Sequence, residues 1–239
     1  MSEKLNPMEQ FAVHEYFKLD LFGLNICFTN SSLIMLSSAF VILIIFYLAF
    51  RKKSAIPSKF QLFVEIVYNF ALSISRNALS EERKYDAFVI SIFFFILGLN
   101  IAGMIFFAPT SHMSVTISMG LIVFFLCIAI SIKHHGFKFF SIFIPKGVAK
   151  PIIPLIFIIE LFSYIAKPIS LGVRLMANVI AGHVMMFVIG SFIVMMGMFG
   201  ILPMFTVIGL SMVECCVMIL QAYIFAILSA TYIGEALHH

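Results

Sequence analysis

The chain has 239 residues, of which 62% are hydrophobic and 11% charged, about half the charge of a water-soluble domain. A soluble globule of this size cannot hide so much apolar surface, so lipid is the solvent for most of the chain. The net charge of +4 comes from cations set between apolar segments, which points to membrane topology and not to nucleic acid.

The opening residues, Met1-Ser-Glu-Lys-Leu-Asn-Pro7, are polar and lack the short apolar core of a cleaved leader. Residues 1–30 are expected to form an outer segment. Residues 31–50 make the first predicted span, long enough to cross ~30 Å of hydrocarbon, and it stops at Arg51-Lys52-Lys53. Over residues 55–85, Phe60, Phe63, Val64, Val67, Phe70, Ala71 and Ile74 recur at helical spacing among Lys59, Glu65, Asn69 and Arg76. That pattern predicts an amphipathic helix lying on the membrane surface.

Residues 87–108 and 113–132 are two further spans, joined by Pro109-Thr-Ser-His112 and forming a helical hairpin over 87–132. A basic loop runs from 133 to 150. The remainder, 150–236, is a long hairpin of two apolar blocks (152–196 and 204–233) divided by Gly197, Gly200 and Pro203. The loops alternate in charge: residues 51–84 carry seven Lys or Arg and residues 133–150 carry four, while the turns at Pro109 and Gly200 carry none. By the positive-inside rule the basic loops and the C-terminus lie inside and the N-terminus outside. The expected fold is therefore a single all-α membrane domain of about five embedded helices plus one surface helix.

A charge at the centre of a membrane helix costs at least ~2.5–3.5 kcal/mol, so each is a candidate for function. The last two blocks hold Glu160, Lys167, Arg174, His183 and Glu214, with Asn178 and Gln221 beside them, whereas the earlier spans hold only Asn100. Glu160, Lys167, Arg174 and Asn178 are spaced by seven, seven and four residues and share one helix face. His183 lies on the opposite side, and Glu214 shares a face with Gln221. If the chain turns back near Gly200, His183 comes level with Glu214, and Arg174 with Gln221 and Phe225. Two titratable groups on facing helices suit a proton relay. Lys167 has a structural reading, pairing with Glu160 or reaching the headgroups. Asn178 and Gln221 read equally as interhelical glue. Asn100 and His112 are expected to satisfy a helix end or turn, with His112 also placed for a channel mouth. Cys27, Cys127, Cys215 and Cys216 show no ligand spacing, and no metal or cofactor is expected. These residues suit a proton path, and a secondary transporter or ion channel with a buried Arg/Glu/His network is the alternative class.

The run Pro168-Ile-Ser-Leu-Gly-Val-Arg174-Leu-Met-Ala-Asn178-Val-Ile-Ala-Gly-His183 resembles the signature helix of the F-type ATP synthase a subunit. The run from Glu214 through Gln221 to Phe225 resembles the last helix of that family, and lesser matches fall at 28–31, 100–104 and 109–112. The resemblance implies a stator subunit with two proton half-channels and an essential arginine, Arg174, facing a ring of c subunits. It implies that Asn178, His183, Glu214 and Gln221 belong to the outer half-channel or rotor-facing positions, and Glu160 to the inner half-channel. It implies long, tilted final helices, and as partners the c-ring, a b-type peripheral stalk and accessory membrane subunits. His183 opposite Glu214 is the mitochondrial arrangement, which implies the mitochondrial inner membrane; a related bacterial inner membrane is the alternative.

Overall fold

The computed structural model describes residues 15–21, 24–51, 57–79, 83–136 and 152–238. Lys52 and Lys53, most of the basic loop 133–150 and the opening residues 1–14 lie outside the described residues. Six α-helices dominate: α1 (Asn30–Phe50), α2 (Lys59–Leu79), α3 (Asp86–Ile105), α4 (Met113–His135), α5 (Ile153–Met196) and α6 (Ile201–His238). All except α2 are long and apolar enough to cross a membrane. Their outward sides carry large apolar residues such as Phe40, Leu43, Phe125 and Phe162, as lipid contact requires.

Two short strands, β1 (Glu15–Leu21) and β2 (Leu24–Thr29), precede α1 as an antiparallel pair. The sequence analysis missed them. Their signal is a period of two: Phe17, Leu19 and Leu21 alternate with Lys18 and Asp20, and the register sets them opposite Phe28, Ile26 and Leu24. Thr29 then caps α1 by accepting a bond from the Ser32 N–H.

The stripe on α2 splits between two surroundings. Val64, Ala71 and Ile74 are buried, while Phe60, Phe63 and Phe70 are exposed. The buried side packs on α3 and α6, and Phe70 reaches the rings of Phe93 and Tyr223. The helical period was legible, but the helix shares one apolar side with the bundle and turns the other outward.

The core forms around the C-terminal half of α6, which α2, α3, α4 and α5 all touch. Ala222, Ala226, Ser229 and Ala230 are fully buried there with Phe225 and Ile233. Small residues let helices approach closely where burying apolar surface from lipid gains little. The crossing of α4 and α5 uses the same device: a Cβ on Gly120 would meet the Pro168 carbonyl oxygen at 2.5 Å, and one on Gly172 would meet that of Thr116 at 2.8 Å. Pro168 has no N–H for the helix ladder, so close seating against α4 supports α5 at that point. Beyond this core, the end of α5 and the start of α6 form a mostly exposed apolar hairpin, closed by a tight turn at Gly197–Gly200.

Candidate functional site

Helices α5 and α6 run antiparallel, and three contacts along them set the register. Lys167 meets Glu235, Asn178 meets Gln221, and Gly182 faces Glu214. The levels match a chain reversal near Gly200, so the polar groups of the two helices meet at successive depths.

The cluster around Glu214 surrounds a cavity of about 230 Å³ whose lining includes Asn100, Asn178, Gly182, Glu214, Met218 and Gln221. Asn178 Nδ2 donates to Gln221 Oε1 at 3.0 Å. Gln221 is 2% exposed and Glu214 is 6% exposed. Among the described residues, neither carboxyl oxygen of Glu214 nor Gln221 Nε2 has a hydrogen-bond partner. A buried carboxyl without a partner is costly when ionised, and the cavity gives water room to reach it. Gly182 makes room for the group, because a Cβ there would collide with the Glu214 carboxylate. His183, the next residue, is half-buried and stands outside the lining of this cavity.

Asn100 does not satisfy a helix end. It sits inside α3, 1% exposed, and its Nδ2 donates across to the Met218 carbonyl of α6 at 3.2 Å. His112 does stand at the turn before α4. Its ring stacks on Phe107 with centroids 5.5 Å apart, and burial lowers its imidazole below the usual pKa.

Arg174 precedes Asn178 by one turn of α5 but is not part of the lining of this cavity. It is exposed on the outer side of α5, and among the described residues it has neither an ion pair nor a hydrogen bond. A second cavity of about 350 Å³ opens beside it, lined by Ser163, Ser170, Lys167, Leu228 and Tyr232 among others. Lys167 does not pair with Glu160. Its Nζ lies 2.9 Å from Glu235 Oε2 and 5.0 Å from the centre of the Tyr232 ring, a cation–π distance. Sequence reasoning missed Glu235, although the signal was present: Glu214, Gln221, Leu228 and Glu235 recur every seven residues. Glu160, half-buried, stands about 21 Å along α5 from Arg174 at 1.5 Å per residue. Asn100, Asn178, Glu214 and Gln221 thus line one cavity, and His112, Glu160, Arg174 and His183 are not part of its lining.

The chain matches the family model described as ATP synthase A chain over residues 32–234. It belongs to the ATP synthase a-subunit family. ATP synthase subunit a of Pelagibacter ubique is 43% identical to it, covering 98% of this chain and 99% of the relative. That of Ehrlichia chaffeensis is 41% identical over 98% of each chain, and that of Maricaulis maris 35% identical over 98% of this chain and 97% of the relative. An a subunit is the proton-translocating, non-catalytic stator part of the F-type synthase, so membership displaces the secondary-transporter or ion-channel alternative. These relatives are bacterial, and the mitochondrial placement taken from the His183 and Glu214 arrangement has no support among them. The a subunit described here is a multi-pass membrane protein.

Proposed function

We propose that this a subunit works in a bacterial inner membrane, with Arg174 facing the carboxylates of a rotating c-ring. The observation that carries the reading is the exposed, unpaired state of Arg174 among the described residues. A guanidinium at the middle of a membrane helix costs at least about 2.5–3.5 kcal/mol, and an opposite charge supplied from another chain offsets that cost. A peripheral stalk of b type and accessory membrane subunits complete the stator.

Protons enter from the outer side through the region of His183, Glu214, Asn178 and Gln221, with Asn100 and His112 toward the mouth, and protonate a ring carboxylate. A neutral carboxyl crosses lipid at low cost, whereas an ionised one does not, so the ring turns with its acids protonated. On return to the stator, the Arg174 cation draws the ring acid into its ionised form, and the proton leaves toward Glu160. The same fixed cation repels protons and blocks a direct leak between the two sides. Each proton that crosses yields about 2.3 kcal/mol per 100 mV, which the ring converts to torque.

The test is Arg174→Ala in the whole synthase, reconstituted in vesicles with an imposed proton gradient. Subunit a is expected at normal amount in the complex, with gradient-driven ATP synthesis abolished. Synthesis at the normal rate would overturn the assignment.

A further inference from the structure

We infer that Asn100 is a positioning residue for proton uptake, holding α6 in the rotation that turns Glu214 and Gln221 into the outer cavity. This rests on the proton path proposed above and adds a device to it. Asn100 Nδ2 donates to the Met218 carbonyl oxygen at 3.2 Å, a bond between α3 and α6 across 118 residues of chain. Met218 follows Glu214 by four residues and precedes Gln221 by three, so it lies on the same helix face, midway between them. A clamp at that carbonyl fixes the azimuth of both side chains. One residue of helix rotation is about 100°, and a slip of that size would carry Glu214 from the cavity toward the outward face where Cys215 and Cys216 lie exposed.

Three further observations support the clamp. Asn100 is the polar side chain of the α3 interior that reaches α6, and it is 1% exposed, an expensive placement for an amide unless its bonds are used. Its Oδ1 has no partner among the described residues, although Asn100 lines the cavity. That oxygen is therefore an acceptor for cavity water on the same wall as the Glu214 carboxyl. Finally, Asn178 holds Gln221 from the α5 side, so α6 is gripped from two helices at one level. The contact from α5 alone grips a side chain, which can swing; the contact from α3 grips the backbone.

The test uses Asn100→Leu, close to isosteric but without either polar atom, in the whole synthase in vesicles. ATP synthesis is measured against outer proton concentration at fixed inner pH, and normalised to the amount of subunit a in the complex. A misplaced Glu214 weakens uptake, so the outer proton concentration for half-maximal synthesis is expected to rise about ten-fold while the rate at saturating acid stays within about two-fold. The dependence on inner pH should not move. A loss confined to the maximal rate, or no change at all, overturns the inference and leaves Asn100 as packing. If Asn100→Leu does not assemble, Asn100→Ser is used. Its hydroxyl ends one bond short of the amide nitrogen that stands 3.2 Å from the Met218 carbonyl oxygen, so it leaves that oxygen out of reach, and it is expected to show the same split in milder form; an unaltered half-saturation overturns the inference equally. Glu214→Gln in the same assay separates the two ideas. If that change leaves uptake intact, the proton path itself fails; if it blocks uptake while both Asn100 variants are normal, only the clamp fails.

Discussion

Glycine at 182 and glutamate at 214 occupy one volume, since any side chain on the first would overlap the carboxylate of the second. The substitution Gly182→Val should therefore push the Glu214 carboxyl out of the cavity without touching the bond between Asn178 and Gln221. An ångström of misplacement at a reacting group can cost about a hundred-fold, and ATP-driven proton pumping into vesicles is expected to fall by that order. Pumping within a factor of two of normal would show that Glu214 need not sit there. Residues of this kind divide sharply by legibility. Arg174 stood out because a cation deep in an apolar run is costly, although Lys167 in the same block also admitted a structural reading. Gly182 did not, because the need for a missing Cβ exists only once α6 is laid against α5. Glu235 was passed over, although it lies two heptads beyond Gln221.

At the level of elements, hydropathy marked the apolar segments, and five of the described helices are long and apolar enough to cross a membrane. Facing was harder. The period of α2 was clear, yet which side met protein depended on where α6 lay, and the order of helices around α6 comes from small residues that hydropathy treats alike. Asn100 shows the same limit: its residue type was conspicuous, but its partner lay 118 residues away. The tie between α5 and the end of α6 allows a direct check. Glu235 stands three residues before the end of α6, where a span meets the polar interface, and Lys167 and Glu235 are 29% and 45% exposed, so interfacial water screens the pair and its worth is about 0.2–1 kcal/mol. Removing either partner should lower the temperature at which subunit a dissociates from the detergent-solubilised synthase by a degree or two at most. The exchange Lys167→Glu with Glu235→Lys should restore most of that loss. If the exchanged pair is as labile as both single changes combined, the two side chains do not bond in the complex.

Across the whole molecule, the lengths of α5 and α6 decide how the site sits in the membrane. The apolar stretch Leu155–Met196 has 42 residues, about 63 Å at 1.5 Å per residue, twice the ~30 Å of hydrocarbon. To stay within lipid it must incline about 60° from the membrane normal, beyond the ~0–40° of ordinary spans. Arg174 then falls near the middle of α5, and the middle of Ile201–Leu237 falls between Glu214 and Gln221. Inclination therefore carries the Glu214 cluster and the arginine to neighbouring depths while spreading the hairpin sideways, as contact with the proposed rotor requires. Nitroxide labels at Phe162 and Val194, both exposed and turned well away from Arg174 around the helix, can measure it. They are about 48 Å apart along the axis, so a 60° inclination separates them by about 24 Å in depth, and a 20° tilt by about 45 Å. In the inclined hairpin both labels stay in hydrocarbon and are relaxed by dissolved oxygen more than by a water-soluble nickel chelate. A label that instead meets the chelate, with its companion still in lipid, would mean that α5 stands upright and that the half-channels cannot be arranged along it as proposed.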